Sequence, residues 1–398
     1  MTTVLGDRAA SYDPRTCDLC GSVDAAVVLD LPPPAMTSDG RIVHEALRKL
    51  ECAGCGLVRN GSAVDQRWLA AHYESYELGL AAAAGEPLFF TPDGVKPRSQ
   101  VICDWILESV TAVTTAVPAT VLEIGCGEGS VLARCAQAWP SSRVAGLDLS
   151  DASVAVATSS GLTAAKGSYG DVDGTHDLIY SFAVIEHVPS PGDFLARLRD
   201  HLSPGGLLIV AQPCQDRGSN DLFFTDHLHH FSSRHVASYG GRAGLVERLR
   251  TVGTPLIPDF SLHVFSRHGA AAAPIIAGPP HQIQQVIAAW RSAFDRLDRW
   301  LDDTRGRPLA VWGLGQTFQL LRAYSHLKDS SITIGFDDNA ARYAGARLAF
   351  PVSSLEAADL DDPRAVRVVT TFTPGPAVVA RLRARGLDWF SPLEESPV

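Results

Sequence analysis

The sequence lacks a basic stripe. Its 34 Lys and Arg face 44 Asp and Glu, a formal net charge of −10. No segment gathers positive charge, so a nucleic-acid partner is not expected. Nor is there an apolar run long enough to span a bilayer, so no membrane partner is expected. Met1 to Pro14 lacks the apolar centre of a secretion leader, which makes the cytoplasm the expected location. There the eight cysteines should be mostly reduced, and close pairs favour a metal over a disulfide. The composition of a disordered chain is missing too. Hydrophobic residues make up 46% and charged residues 20%, which suits a globular protein apart from its ends and a few linkers. At 398 residues the chain is too long for one ordinary core, so two or three domains are expected.

Two cysteine pairs lie between residues 15 and 60, where helical periodicity is weak. A helix is expected around Gln66 to Leu78, carrying Trp68, Leu69, His72, Tyr73 and Tyr76. Gly79 to Pro97 is rich in Ala, Gly and Pro and reads as a mobile connection. Residues 98–117 read as a helix with Val101, Trp105, Leu107 and Val110 among its apolar positions. From Thr120 onward strands near Val144–Leu147, Leu178–Phe182 and Leu207–Ala211 alternate with helices, which predicts a parallel α/β sheet. Ala270–Pro280 reads as a linker. Ile283, Ile287, Trp290, Phe294, Leu297 and Leu301 then mark a strongly amphipathic helix, and a second strand–glycine loop–helix opens at Leu309. The expected architecture is therefore α/β. A cysteine module covers residues 1–80, a Rossmann-like domain 81–270 and a second Rossmann-like domain 281–398.

The strongest motif is Val121-Leu122-Glu123-Ile124-Gly125-Cys126-Gly127-Glu128-Gly129-Ser130. An apolar strand ends in an acid, glycines follow at alternate positions, and a helix opens. Such a loop lets a ligand approach the backbone and the helix N-terminus. Alone it fits dinucleotides as well. A second strand, Val144-Ala145-Gly146-Leu147-Asp148, ends in a carboxylate able to accept both ribose hydroxyls of an adenosine. Ser181-Phe182-Ala183-Val184-Ile185-Glu186-His187-Val188 follows the fourth strand, and Leu202-Ser203-Pro204-Gly205-Gly206 precedes another. Over roughly Leu107 to Leu249 this ordered set resembles the class I methyltransferases. A nicotinamide-binding Rossmann domain is the competing reading. The resemblance implies S-adenosyl-L-methionine as cofactor, with Glu123, Gly125, Cys126 and Gly127 around its methionine part and Asp148 on its ribose. Leu149, Ser168, Phe182 and Tyr76 complete the expected cofactor-binding set. Phe182 fits a core residue equally well, and Asp177 reads as structural.

Cys17-Asp18-Leu19-Cys20 and Cys52-Ala53-Gly54-Cys55 form two Cys-x-x-Cys pairs, each followed by a glycine. Two such pairs complete a tetrahedron around one structural Zn2+, with no open position for catalysis. Redox pairs or disulfides are the alternatives. Cys103, Cys126, Cys135 and Cys214 read as core or loop residues.

A zinc module, a class I core and a second Rossmann-like unit, in that order, resemble the zinc-containing C-methyltransferases that act on nucleotide-linked ketodeoxysugars in antibiotic pathways. Three pieces carry the likeness. They are the cysteine pairs with the Tyr73–Tyr76 segment, the run Asp221 to Ser232, and Val311-Trp312-Gly313-Leu314-Gly315 with Ile334-Gly335-Phe336-Asp337-Asp338-Asn339. The resembled family carries Tyr-x-Glu-His-Phe in the second piece, where it supplies the catalytic base. Here the run is Phe224-Thr225-Asp226-His227-Leu228, so the His is kept, the Glu is shortened to Asp and the phenol is missing. The family's other histidine matches His187. In that family the C-terminal unit helps hold the substrate's nucleotide. Here it either does so or only packs.

Methyl transfer needs an aligned nucleophile and, for a carbon or a hydroxyl, a base with a pKa near the working pH. His227 is the first candidate. Asp226 either orients it or acts on its own. His187 stands at the sheet's C-terminal edge, to steady an enolate or to place the substrate. His229 and His230 are the alternatives to His227. The expected partner is a small-molecule acceptor, with a nucleotide-sugar implied by the resemblance. O- or N-methylation of a non-sugar natural product is the second reading, and a scaffold that keeps a cofactor pocket is the third. The sequence leaves the oligomeric state open.

Overall fold

A computed structural model describes residues 12–64, 66–76, 86–91, 94–268, 281–343 and 348–393. The alternation after Thr120 becomes a seven-stranded sheet. Its order is Ala164–Lys166, Arg143–Asp148, Thr120–Ile124, His176–Phe182, Leu202–Pro213, Phe260–Ser266, Val246–Val252. The first five strands run parallel. Phe260–Ser266 runs against them, with Val246–Val252 paired outside it. That reversed insertion departs from the strand order 3-2-1-4-5-6 of the dinucleotide-binding sheet and counts against the nicotinamide reading.

The central strands are apolar on both sides because both faces are covered. Val121, Leu178 and Ile209 pack against Trp105 and Ile106 of the helix Arg98–Val113. Leu122, Ile179, Leu208 and Val210 meet Phe194 and Leu198 of Pro191–Asp200 and Val236 of Ser233–Arg242. Leu202–Pro213 runs through the expected Pro-Gly-Gly turn. Its register against His176–Phe182 shifts there, and Gly205 takes φ +82°, so that turn is a bulge within a strand.

Three other expectations need correction. The helix after the cysteine pairs is Gln66–Glu74, and positions 77 and 78 lie outside the described residues. The helix expected over 98–117 ends at Val113, with β-branched Thr114 already extended. Part of the expected mobile connection is a hairpin, Leu88–Thr91 with Gly94–Pro97. Its positions 79–85 and 92–93, and the expected linker at 270–280, lie outside the described residues.

The cysteine pairs belong to a four-stranded sheet, Ala25–Leu31, Leu47–Cys52, Val58–Asn60 and His229–His230. Its last strand comes from beyond the central sheet, pairing His229 with Arg59 and His230 with Val58. After the helix His281–Asp303 a five-stranded parallel sheet follows in the order Val352–Ser353, Ile332–Phe336, Leu309–Trp312, Arg367–Thr370, Asp388–Phe390. The stripe Ile283, Ile287, Trp290, Phe294, Leu297 and Leu301 is buried and packs with Met36, Leu222, Phe223 and Phe224. Tyr324 receives the Met36 amide at 3.1 Å and donates to the Phe223 carbonyl at 2.6 Å. Both outer units thus grip the segment just before His227. No helix among the described residues is long and apolar enough to cross a membrane.

Candidate active site

The strand Thr120–Ile124 ends in the glycine loop, which sits at the C-terminal edge of the sheet. Gly125 and Gly129 hold φ of +77° and +85°, and a Cβ there would stand 2.5 Å from Val184 Cγ2 and 2.4 Å from Leu162 Cδ1. Only glycine meets both conditions. Gly127 N donates to Asp148 Oδ2 at 2.7 Å and Ser150 N to Oδ1 at 2.9 Å. Asp148 is thereby fixed at the end of its strand, half-buried, with no side-chain partner among the described residues. Leu149 beside it is exposed. The Ser168 hydroxyl donates to Asp171 Oδ2 at 2.8 Å and caps the turn Tyr169–Asp171, while Gly167 N donates to the Asp148 carbonyl at 2.9 Å.

Two expected contacts with the methionine part take another form. The Cys126 side chain is buried against Gly146, which leaves its backbone to face a ligand. The Glu123 carboxyl is turned into the core, where Tyr180 donates to Oε2 at 2.9 Å and burial pushes the acid up to about 8. It supports the loop from below. Phe182 stacks on Phe260 with ring centroids 4.8 Å apart, and the Arg98 guanidinium lies over its ring.

Next to this edge lies a buried polar cluster. Ala183, the one non-glycine with positive φ (57°) among the described residues, turns the chain after Phe182. Such strained positions concentrate at functional sites. The turn delivers Glu186 and His187. His187 and His227 meet edge to face with ring centroids 4.5 Å apart. His227 Nδ1 lies 3.4 Å from Asp221 Oδ2, which also accepts from His230 Nδ1 at 2.8 Å. Gln215 holds the other Asp221 oxygen. Burial alone would lower His227, but the Asp221 hydrogen bond and the charges of Asp226 and Glu186 outweigh it and raise it above its ordinary value.

Asp226 does not orient His227. The turn at Thr225 sends its carboxylate the other way, to Ser38 N at 2.7 Å, Ser38 Oγ at 2.6 Å and His72 Nε2 at 3.1 Å. Arg41 donates to His72 Nδ1 at 2.7 Å, so the His72 proton sits on Nε2 and points at Asp226. Burial works to raise Asp226. The His72 bond and the neighbouring His187 and His227 prevail and hold it well below the usual carboxylate range. Tyr76 reaches Ser38 Oγ at 3.1 Å, and Glu74, two residues before it, receives Ser150 Oγ at 3.4 Å. Tyr76 therefore stands between the Asp148 turn and Asp226.

The remaining histidines separate by strand alternation. His230 turns to Asp221. His229 turns to Tyr12 and Phe231, with neither ring nitrogen bonded. His187 Nδ1 faces the Asp226 carbonyl at 3.2 Å, a partner that can only accept. Its Nε2 therefore carries the lone pair, and burial, reinforced by His227, pushes the ring down to about 3. That geometry favours placing a hydroxyl over steadying an enolate. Near it lie two buried groups without hydrogen-bond partners among the described residues, the Glu186 carboxyl and the Tyr73 hydroxyl. The Tyr73 ring is 5.4 Å from His187, and Glu186 Oε1 is 4.0 Å from His187 Nε2. Burial pushes Glu186 up to about 7. Buried polar groups are rarely left unpaired, and several facing one point mark the place of a ligand.

Lys49 and Asn60 fix the loop that carries His227. Lys49 Nζ donates to the carbonyls of Phe224 at 2.7 Å and His227 at 3.1 Å, and burial pushes its ammonium down to about 7. Asn60 donates to Thr225 O at 2.9 Å from Nδ2 and to Leu228 O at 2.9 Å from its amide. Sequence reasoning gave no role to Asp221, Glu186, Lys49, Asn60, Ser38 or Arg41. Asp221, six residues before His227 in the same run, was the one within reach of a local reading.

The four cysteine thiols stand together and form no disulfide. The Sγ atoms of Cys17 and Cys55 are 3.6 Å apart and those of Cys20 and Cys52 3.4 Å, with all four within 4.8 Å of one another. A tetrahedral ion with sulfur ligands at about 2.3 Å needs edges of about 3.8 Å. The two turns match. Gly21 N donates to Cys17 O and Gly56 N to Cys52 O, each at 2.8 Å, and both glycines have φ +76°. The residues fit a thiolate-bound ion. Two histidine groups, Glu186/His187/His227 and Asp221/His227/His230, also bring donor atoms within 4.8 Å of one another. Both depend on His227.

Residues 96–253 match the family described as "Methyltransferase domain". Among curated proteins, trans-aconitate 2-methyltransferase of Deinococcus radiodurans is 40% identical over 108 residues, 26% of this chain and 42% of that protein. An uncharacterised 37.1 kDa protein in transposon TN4556 of Streptomyces fradiae is 29% identical over 201 residues, 47% of this chain and 58% of that one. The chain thus spans less than two thirds of either relative. A solved S-adenosylmethionine-dependent methyltransferase from Clostridium acetobutylicum is 12% identical, covering 42% of this chain and 91% of that one, with a TM-score of 0.36. Residues 96–253, which hold the glycine loop and the Asp148 turn, thus match a methyltransferase domain.

Proposed function

We propose that the chain transfers a methyl group from S-adenosylmethionine to a small-molecule acceptor, with His227 as the base. The observation that carries this reading is the buried His227–Asp221 pair, set beside His187 at the same sheet edge as Asp148. The bound cofactor supplies a methyl group already activated on a sulfonium. Asp148 accepts the ribose hydroxyls and the glycine loop amides face the methionine part. His227 takes the acceptor's proton through Nε2, and Asp221 holds Nδ1 and stabilises the imidazolium that forms. His187 Nε2 accepts from a hydroxyl of the acceptor. Burial of the whole cluster excludes water.

The finer reading is C-methylation of a nucleotide-linked ketodeoxysugar. Carbon acidity needs a base and a donor for the enolate oxygen, and the unpartnered Tyr73 hydroxyl, kept protonated by burial, is such a donor. Under this reading the loop Gly313–Gly315 and Asp337 take the nucleotide. O- or N-methylation of a non-sugar metabolite is the second reading. It is favoured by Phe224, whose ring packs on His227 at 5.1 Å where the resembled family has a phenol. In the cysteine module we propose one structural Zn2+ on Cys17, Cys20, Cys52 and Cys55.

Solvent exchange tests the finer reading. With S-adenosylhomocysteine and a nucleotide-linked ketodeoxysugar in heavy water, the proton next to the ketone should exchange, and His227→Ala should abolish the exchange. Product formation at the wild-type rate in His227→Ala would refute the base under either reading.

A further inference from the structure

Glu186, His187 and His227 offer ligand atoms to one point of the buried cluster. All three side chains are buried, and one such atom from each lies within 4.8 Å of the others. Glu186 Oε1 stands 4.0 Å from His187 Nε2, and neither carboxyl oxygen has a hydrogen-bond partner among the described residues. The two rings meet edge to face, with centroids 4.5 Å apart. A buried carboxyl is seldom left without a partner, so one facing two imidazoles asks what completes it.

The groups behind the rings say which atoms are available. His187 Nδ1 faces the Asp226 carbonyl at 3.2 Å, and His227 Nδ1 faces Asp221 Oδ2 at 3.4 Å. A carbonyl and a carboxylate only accept, so both rings carry their proton on Nδ1 and keep a lone pair on Nε2. A carbonyl or carboxylate behind the imidazole is the support that metal-bound histidines have. The backbone holds the set together as well. Glu186 O accepts from Leu228 N at 2.8 Å, which ties the turn Ile185–His187 to the segment carrying His227. The neighbouring group of Asp221, His227 and His230 is arranged the other way. Asp221 Oδ2 faces the Nδ1 protons of both rings and Gln215 holds Oδ1, so that carboxylate already has its partners and protons fill the place of an ion.

We propose that Glu186, His187 and His227 form a binding site for one divalent transition-metal ion, separate from the cysteine site. Two imidazoles and one carboxylate suit Zn2+, Fe2+, Co2+ or Ni2+, whereas Mg2+ and Ca2+ prefer oxygen ligands. Around a tetrahedral ion with nitrogen and oxygen ligands at about 2.1 Å, neighbouring ligand atoms are about 3.4 Å apart. The 4.0 Å edge closes to that distance when the Glu186 carboxyl, held by no hydrogen bond, turns toward the rings. The ion takes the Nε2 lone pairs of His187 and His227, the atoms that the proposed proton transfer uses. Where His227 is the base, ion and acceptor therefore exclude each other.

Titration of Co2+ into the full-length protein tests the site. Cobalt on cysteine thiolates shows thiolate-to-metal charge transfer in the near ultraviolet, whereas cobalt on imidazole and carboxylate shows visible d–d absorption alone. Wild-type protein should take up one Co2+ of the second kind per chain. Glu186→Gln and His187→Ala should abolish that uptake. Asp221→Asn, which removes the support behind His227 but no ligand, should weaken it about 10–100-fold. His230→Gln should bind as wild type does. No uptake by wild-type protein, uptake with the thiolate signature only, or undiminished uptake in Glu186→Gln would overturn the proposal. Loss of the ion in His230→Gln would move it to the Asp221 group and overturn it too. If either histidine variant does not fold, Glu186→Gln, which keeps the size of the side chain, still decides. Methylation should stop as the ion binds. Methylation that continues with the ion bound by these residues would leave the site standing and defeat His227 as the base.

Discussion

The loop after Thr120–Ile124 and the loop after Leu309–Trp312 are built alike. Each follows an apolar strand, opens a helix and is held by an acid at the end of the next strand. The partners of that acid differ. Asp148 accepts two backbone amides and, among the described residues, no side chain. Asp337 accepts Asn339 N at 2.9 Å, Tyr343 OH at 3.2 Å and Leu314 N at 3.4 Å, so its oxygens are more fully engaged. The surroundings differ as well. Beside the first loop stand His187, His227 and Glu186, whose carboxyl has no hydrogen-bond partner among the described residues. Beside the second, Arg381 bridges Asp338 and Glu356 and covers Trp312 at 4.8 Å, an exposed ion-pair network with no unpaired buried acid. A glycine loop with its acid is a shared frame, and what surrounds the acid decides whether chemistry follows.

Metal removal should break the asymmetry between the two loops most strongly. Lys49 and Asn60, which hold the His227 loop, lie on the strands that carry or follow Cys52, and His235 Nε2 reaches the Cys55 carbonyl at 3.0 Å. Structural zinc can contribute on the order of 10 kcal/mol to a small module. Cys52→Ser should therefore lose metal and solubility, and activity with them. Elemental analysis of wild-type protein should give about one zinc per chain, whereas fully folded, active protein without metal would count against the site.

The base comes next. His227→Ala should lower the methylation rate by about 10²–10⁴-fold. The free base is the working form, so the rate should rise with pH through a value above the ordinary histidine 6.5. Asp221→Asn removes the bond that raises His227, so the rising limb should move to lower pH while the plateau falls. A limb that stays in place would mean that another group sets it.

The smallest of these effects is on stability in acid. Burial lowers His187 and His229 to about 3 and His230 to about 4, from 6.5 in the unfolded chain. Between those values the unfolded chain binds the extra protons, so stability rises with pH and is lost as pH falls from 6.5 toward 3. Each histidine adds a slope of about 1.4 kcal/mol per pH unit. His229→Leu should flatten the melting temperature against pH over that range. An unchanged slope would show that the His229 ring is already solvated.

The glycine-loop edge was legible because its parts are contiguous. Glu123 to Ser130 is one run, and its glycines are demanded by contacts with Val184 and Leu162. The acceptor cluster was half legible. His187 and His227 could be read from their runs, but the turn at Thr225 decides that Asp221, and not the adjacent Asp226, meets His227. Lys49 and Asn60 reach the cluster from the cysteine sheet, and Ser38 from the turn between Ala35–Met36 and Ile42–Val43, each across more than a hundred residues, and no spacing announces that.

Titration of S-adenosylhomocysteine into wild-type protein, Asp148→Ala and Asp337→Ala tests most directly the claim that the first loop is the cofactor site and the second is not. The account predicts one binding site per wild-type chain. Asp148→Ala should bind about 1–3 kcal/mol more weakly, the scale of hydrogen bonds to a charged acceptor, and Asp337→Ala should bind as wild type does. Wild-type affinity in Asp148→Ala, or loss of binding in Asp337→Ala, would contradict it.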